Sequence, residues 1–151
     1  MRGYAAIGLF NPKTNANVGS ALRAAGCFGA GLVAIQGERY RRAQTDTTAM
    51  YRHIPLIHGS LHDLVPFDCV PVAVDLIDGA RCLHSYSHPE RAFYIFGPED
   101  GTLGKAVTSW CRDVVYVPTR TCMNLAATVN VVLYDRQRKR AKEDALLERV
   151  A

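Results

Sequence analysis

Five short, almost wholly apolar segments recur along this sequence, separated by polar or helix-forming stretches. They are YAAIGLF (4–10), GLVAIQG (31–37), PVAVDLI (71–77), AFYIFG (92–97) and DVVYVP (113–118). Strands that alternate apolar and polar residues have one face in water, whereas continuous apolar strands are covered on both faces and are typical of parallel sheets. The pattern therefore predicts an α/β fold with a mostly parallel sheet flanked by helices.

The intervening stretches predict helices. The first begins near Val18, with Asn17 as its N-cap, and stops before Gly29. The other predicted elements are a short strand at HIPLIH (53–58), a short helix at SLHDLV (60–65), a helix over roughly 103–111 and a long helix from about Asn124.

Length and composition predict one domain, over residues 1–151. A chain of 151 residues, 48% of them hydrophobic, can bury about 70% of its unfolded surface. No segment approaches the roughly 20 apolar residues that span a bilayer, and MRGYAAIGLFNPK lacks the pattern of a signal peptide. We expect a soluble, cytoplasmic protein without a membrane partner.

Cysteine and histidine spacing gives no metal prediction. The five cysteines never form Cys-x-x-Cys, so neither a disulfide framework nor a zinc ribbon is indicated, and we expect at least four to be small core residues. His53, His58 and His62 straddle a predicted strand and helix, which favours surface or core histidines over ligands. A hydrolase built on Cys122 lacks any histidine that the sequence places beside it.

The net charge of +4 is concentrated in two places. One is RYRR (39–42) with Arg52 nearby, and the other is RQRKR (136–140) with Lys142. Such runs are solvated faces in many proteins. They are also the usual contacts with nucleic-acid phosphates, and the sequence leaves both interpretations open.

Three polar loops follow predicted strands: NPKTNANVG (11–19), GPEDGTLG (97–104) and PTRTCMN (118–124). In open α/β sheets ligands bind beyond the carboxyl ends of strands, so these loops are where a site is expected. The first offers only one glycine of the dinucleotide fingerprint, and the second has Glu99 where a phosphate loop needs glycine. Neither familiar nucleotide motif is present.

The same loops carry three motifs in a fixed order. The first is Asn-x-Gly-x-x-x-Arg, at Asn17, Gly19 and Arg23. The second motif lies in FYIFGPEDGTLG, and its characteristic residues are Phe96, Gly97, Glu99 and Leu103. The third lies in VPTRTCMNLAATVNVVLYDRQR, and its characteristic residues are Pro118, Asn124, Leu125, Ala126, Val129, Tyr134 and Asp135. With these motifs the chain resembles the SPOUT superfamily of RNA methyltransferases, in the TrmH-like branch that makes 2'-O-methylribose, and especially its small TrmL-type members.

This resemblance implies a fold and a function. The fold would be an α/β knot, in which the C-terminal segment threads through an earlier loop as a trefoil, and the protein would be a homodimer. The function would be S-adenosylmethionine-dependent methylation of an RNA ribose 2'-oxygen, with tRNA the favoured substrate. An rRNA substrate, or a catalytically inactive knotted RNA-binding or assembly protein, remains an alternative, because Cys122 replaces the usual serine and the motif-two glycine is shifted to Gly101.

The resemblance also implies roles for individual residues. The cofactor would lie against backbone at Val74, Gly97, Val117, Cys122 and Leu125. Arg23 would clamp a phosphate and stabilise charge on the reacting oxygen, since a guanidinium keeps its proton. Asn17 would orient the substrate or Arg23, and Glu99 would brace the loops or, less favoured, act as a base.

Asn124 would stand in the active cleft at the start of the last helix. RNA would contact Arg39, Arg41, Arg42 and Arg52. From the residues alone, Asn124 could equally be a helix cap and Arg23 a surface residue on an amphipathic helix.

Overall fold

A computed structural model of the chain describes residues 3–38 and 49–150. The strands are β1 (Tyr4–Phe10), β2 (Val33–Gln36), β3 (Leu56–His58), β4 (Val70–Val74), β5 (Arg81–Cys82), β6 (Arg91–Phe96) and β7 (Asp113–Tyr116), and the α-helices are α1 (Asn15–Cys27), α2 (Lys105–Thr108) and α3 (Leu125–Val150). Short 3-10 turns occur at Met50–Arg52 and Leu83–Ser85. Within this part of the chain, no helix is long and apolar enough to cross a membrane.

The strands form one sheet in the order β3-β2-β1-β6-β4-β7-β5, and every neighbouring pair is parallel. Side chains of β6 alternate between two buried clusters. Tyr94 and Phe96 pack with residues of α1 and α3, whereas Phe93 and Ile95 pack on the opposite face with Leu61 and the region around α2. The sheet is thus covered on both faces, which confirms the predicted α/β class.

Helix α1 begins earlier than its sequence suggested. Its N-cap is Thr14, whose side-chain oxygen accepts a hydrogen bond from the backbone N–H of Asn17 at 3.3 Å, so the expectation that Asn17 is the cap is wrong. The prediction for the other end is confirmed. Gly29 adopts φ +68°, and the following N–H of Ala30 returns to the carbonyl of Ala25 at 2.9 Å, which closes the helix. The cap leaves the Asn17 side chain free for other contacts.

Two further expectations need correction, and one strand was not predicted. Segment 60–65 forms a turn and not a helix. The backbone N–H groups of Asp63 and Leu64 both donate to the carbonyl of Ser60. The two-residue strand β5 was not predicted, because so short a run carries no periodic signal. Among the five cysteines only Cys69 is buried, and both Cys27 and Cys122 are exposed.

Helix α3 is anchored to the sheet by Arg136, which is 6% exposed. Its guanidinium donates hydrogen bonds to the carbonyls of Pro89 (2.6 Å), Glu90 (2.7 Å) and Tyr4 (3.2 Å). These carbonyls lie at the amino-terminal ends of β1 and β6. The anchor fixes the middle of α3 there and leaves its first turn near the opposite, carboxyl-terminal edge of the sheet.

Candidate active site at the carboxyl edge of the sheet

Four loops meet at one edge of the sheet. In a parallel sheet all carboxyl ends lie on the same side, and β1, β6, β4 and β7 are consecutive in the sheet order. The segments 11–14, 97–104, 75–80 and 117–124, which follow these strands, are therefore neighbours in space. Two of the three loops flagged by sequence lie on the same pocket, and the third approaches them through its hydrogen bonds.

A pocket of about 340 Å³ lies between the loops that follow β4, β6 and β7. This size falls in the range of small-molecule sites. All of the predicted cofactor residues line it, namely Val74, Gly97, Val117, Cys122 and Leu125. The structure thus gathers around one cavity residues that are separated by up to about a third of the chain, although their role as cofactor contacts stays a prediction.

Gly97 lines the pocket and has no Cβ. In the structure, a Cβ at this position would lie 3.4 Å from both the side chain and the backbone nitrogen of Leu103. These are ordinary van der Waals distances, so the path of the loop after β6 does not itself require glycine at this position.

Asp75 is a site residue that the sequence did not single out. One carboxylate oxygen accepts from the backbone N–H of Leu76 and the other from that of Leu103, each at 2.8 Å. Asp75 lines the pocket and ties the loop after β4 to the loop after β6. A lone aspartate after a strand gives no sequence signal, because the backbone groups that it binds are visible only in the folded chain.

Beside the pocket, three predicted catalytic residues form a hydrogen-bonded chain. The side-chain amide of Asn124 donates to the side-chain oxygen of Asn17 at 2.7 Å, and the amide of Asn17 donates to a carboxylate oxygen of Glu99. The other oxygen of Glu99 accepts from the backbone N–H of Lys13 at 2.9 Å. Because a carboxylate only accepts, Glu99 sets the orientation of the Asn17 amide and, through it, the pairing with Asn124.

These contacts determine the ionisation of Glu99. Burial alone would raise the pKa of this carboxyl, but the hydrogen bonds from the Asn17 side chain and the Lys13 backbone N–H outweigh it and hold the pKa below its usual value. A carboxylate stabilised in this way is a poor proton acceptor at neutral pH. The geometry therefore matches the bracing role expected for Glu99 better than the role of a base.

Asn124 also caps helix α3. Its side-chain oxygen accepts from the backbone N–H groups of Ala126 (2.9 Å) and Ala127 (3.3 Å). The capping interpretation is confirmed, and the same side chain reaches Asn17 through its nitrogen. Its predicted place in the reaction remains a prediction.

Arg23 lies on the exposed side of α1 and does not line the pocket. Within residues 3–38 and 49–150, no hydrogen bond or ion pair of its guanidinium is formed, and the side chain of Asn17 contacts Glu99 and Asn124 instead. The guanidinium is thus available to an external anion. The catalytic role of Arg23 is still a prediction.

Of the predicted RNA contacts, Arg39, Arg41 and Arg42 lie outside the described residues. Arg52 is exposed at the end of a 3-10 turn, with its guanidinium carbon 5.8 Å from the centre of the Tyr51 ring. No group of three or more metal-binding side chains occurs in the part of the chain that the structure describes.

The family model for the SpoU rRNA methylase family matches residues 4–134. The chain therefore belongs to this family of RNA methyltransferases, as its three motifs predicted. No curated protein matches the chain by sequence.

Several solved structures share the fold. The SpoU methyltransferase AviRb from Streptomyces viridochromogenes superposes with a TM-score of 0.83 at 18% identity, over 95% of this chain and 62% of AviRb, and it has also been solved with AdoMet. The TrmH/SpoU tRNA modifying enzyme of A. aeolicus gives 0.81 at 14% identity, over 93% of this chain and 77% of the enzyme. A structure concerned with the 2-OH methylation of C/U34 on tRNA superposes with a TM-score of 0.78 at 19% identity, over 93% of this chain and 98% of that structure.

At these identities the superpositions establish the fold alone. The chain spans about 60% of the length of AviRb and also matches 57% of an rRNA methyltransferase from Sinorhizobium meliloti. Substrate and reaction must therefore be argued from the site.

Proposed function

We propose that this protein transfers a methyl group from S-adenosylmethionine to the 2'-hydroxyl of a ribose in tRNA. The observation that carries the proposal is the gathering of five predicted cofactor residues around one pocket, directly beside the hydrogen-bonded chain Glu99–Asn17–Asn124. The surrounding sequence belongs to an RNA methyltransferase family.

The lining of the pocket fits the proposed cofactor. Apolar side chains such as Phe96 and Leu125 suit an adenine ring, and the carboxylates of Asp75 and Glu99 provide the negative potential that a sulfonium requires. When bound, S-adenosylmethionine supplies a methyl group that is already activated by its positive sulfur.

The protein has to align the ribose oxygen with that methyl and help its proton to leave. The hydrogen-bonded chain Glu99–Asn17–Asn124 holds the loops on which both partners would rest. Arg23 clamps the phosphate next to the target ribose and stabilises charge that develops on the oxygen. Since a guanidinium keeps its proton, the hydroxyl proton leaves through phosphate or water.

The tRNA substrate is proposed from the resemblance of the three motifs to the small TrmL-type members. Arg52 and the segment that holds Arg39, Arg41 and Arg42 would contribute phosphate contacts to the RNA. An rRNA target is the variant of the proposal that the family description favours.

A homodimer and a C-terminal knot belong to the same proposal. Tyr134 is 58% exposed and Val131 37% exposed on α3, and Phe28 packs its ring 6.3 Å from Tyr134, which makes an apolar face suited to a second copy. The C-terminal knot is proposed from the resemblance of the three motifs to the SPOUT superfamily.

Mass spectrometry of nucleosides from RNA of cells with and without the protein tests the reaction and the substrate together. Loss of one 2'-O-methylated nucleoside from the tRNA fraction is the expected result. The exposed Cys122 in place of serine favours one other candidate, an RNA-binding protein without activity. Calorimetry separates the two, because such a protein would bind neither S-adenosylmethionine nor S-adenosylhomocysteine.

A further inference from the structure

The pocket has an uneven set of charges. Three of its described lining residues are charged, and they are Asp75, Glu99 and Arg120. Both carboxylates are engaged by backbone N–H groups, Asp75 with Leu76 and Leu103, and Glu99 with Lys13. Arg120 is the one cation among the described lining residues.

Arg120 stands at the tip of a tight turn in the loop between β7 and α3. The side-chain hydroxyl of Thr119 donates to the carbonyl of Thr121 at 2.8 Å, which closes the turn around Arg120. Arg120 is exposed, and within residues 3–38 and 49–150 its guanidinium makes no hydrogen bond or ion pair. Arg120 lines the pocket, and its guanidinium carries five N–H donors without a described protein acceptor.

The proposed cofactor carries one carboxylate, on its methionine portion, together with an ammonium and a sulfonium. The ammonium and sulfonium are favoured on the side of Asp75 and Glu99. The carboxylate is repelled there, and a planar guanidinium matches it through two parallel hydrogen bonds. Val117 and Cys122, two predicted cofactor contacts, lie within three residues of Arg120, so its turn belongs to the cofactor wall.

We infer that Arg120 binds the carboxylate of the methionine portion of the cofactor and thereby selects ligands that carry the amino-acid group. This inference rests on the proposed function. It differs from a phosphate contact to RNA, which would use the same charge but would leave cofactor binding unchanged.

The test measures the affinity of two ligands by calorimetry without RNA. S-adenosylhomocysteine carries the carboxylate, and 5'-methylthioadenosine shares its adenosine and thioether but lacks the amino-acid group. Arg120→Ala should lower the affinity for S-adenosylhomocysteine by about tenfold or more and leave the affinity for 5'-methylthioadenosine unchanged. Arg120→Lys should recover part of the loss, and Arg52→Ala, which removes an equal charge away from the pocket, should change neither affinity.

Each other outcome overturns the inference in a recognisable way. An equal loss for both ligands would mean that the loop, not the carboxylate, was disturbed. Unchanged S-adenosylhomocysteine affinity with a raised KM for RNA would assign Arg120 to a phosphate. If the unmodified protein binds neither ligand, the proposed function fails first, and the inference fails with it.

Discussion

The side-chain nitrogen of Asn124 lies 2.7 Å from the side-chain oxygen of Asn17, a residue 107 positions earlier in the chain. The oxygen of the same Asn124 amide caps α3 by accepting from Ala126 at 2.9 Å. One side chain therefore performs two separable tasks, with its oxygen serving the helix and its nitrogen serving the site.

Substitution of Asn124 can separate these tasks. Asn124→Asp keeps the capping oxygen at a helix N-terminus, where negative charge is favourable, but it places a carboxylate against the oxygen of Asn17. We expect methyl transfer to fall at least tenfold with little change in thermal stability. Asn124→Ala loses both tasks and should also cost about 1 kcal/mol of unfolding free energy. A fully active Asn124→Asp would show that the link to Asn17 has no part in the reaction.

Arg23→Ala tests the catalytic assignment in a different way. The side chain is exposed and has no described protein partner, so its removal should leave the melting temperature unchanged. If it clamps a substrate phosphate, turnover with RNA should fall at least a hundredfold (about 2.7 kcal/mol) while calorimetric affinity for S-adenosylhomocysteine stays the same. Arg23→Lys keeps the charge without the planar fork and should be intermediate. Normal turnover in Arg23→Ala would remove Arg23 from the mechanism.

The sheet was predictable because its strands carry their own signal. The runs at β1, β4, β6 and β7 are apolar in sequence and buried in the structure. Element boundaries that are set by individual caps and turns were not predicted. The N-cap of α1 is Thr14 and not Asn17, because the side-chain hydroxyl of Thr14 accepts a hydrogen bond from the backbone N–H of Asn17. Segment 60–65 contains residues compatible with a helix but is held as a turn on Ser60.

The site was predictable only through its resemblance to a known family. Asn17, Glu99 and Asn124 are ordinary polar residues in separate loops, and nothing in their spacing says that they touch. Asp75 and Arg120 match no motif, so neither was predicted to be a site residue. Asp75 matters because it binds two backbone N–H groups. Arg120 matters because it lines the pocket and has no partner among the described residues.

Arg136 provides a prediction for stability. Arg136→Ala would leave the carbonyls of Pro89, Glu90 and Tyr4 without their shared donor, and we expect a loss of about 3 kcal/mol in unfolding free energy, measured by urea denaturation. The control is Arg138→Ala, two positions along the same helix, whose exposed ion pair with Asp135 should contribute less than about 1 kcal/mol. Equal effects of the two substitutions would contradict the anchoring role of Arg136.

His88 gives the fold a pH dependence. Its ring lies in the interior, with Nε2 at 2.9 Å from a carboxylate oxygen of Asp135 and Nδ1 at 2.6 Å from the hydroxyl of Tyr94. Burial lowers the pKa of His88 from 6.5 to about 4, and the hydrogen bond and charge of Asp135 offset only part of this shift. The folded protein therefore keeps a neutral imidazole, in which Nε2 donates to Asp135 and Nδ1 accepts from Tyr94.

As the pH falls from 6.5 towards 4, the unfolded chain takes up a proton at this histidine and the folded chain does not, so unfolding becomes easier. The gap between the two pKa values corresponds to about 3 kcal/mol. Glu99 and Asp135 have lowered pKa values in the folded protein, so their contributions are lost only below 4.5 and 3.8. Urea denaturation at pH 7, 6 and 5 should thus show falling stability in the unmodified protein and a flatter profile in His88→Gln. An identical slope in both proteins would place the titrating group elsewhere.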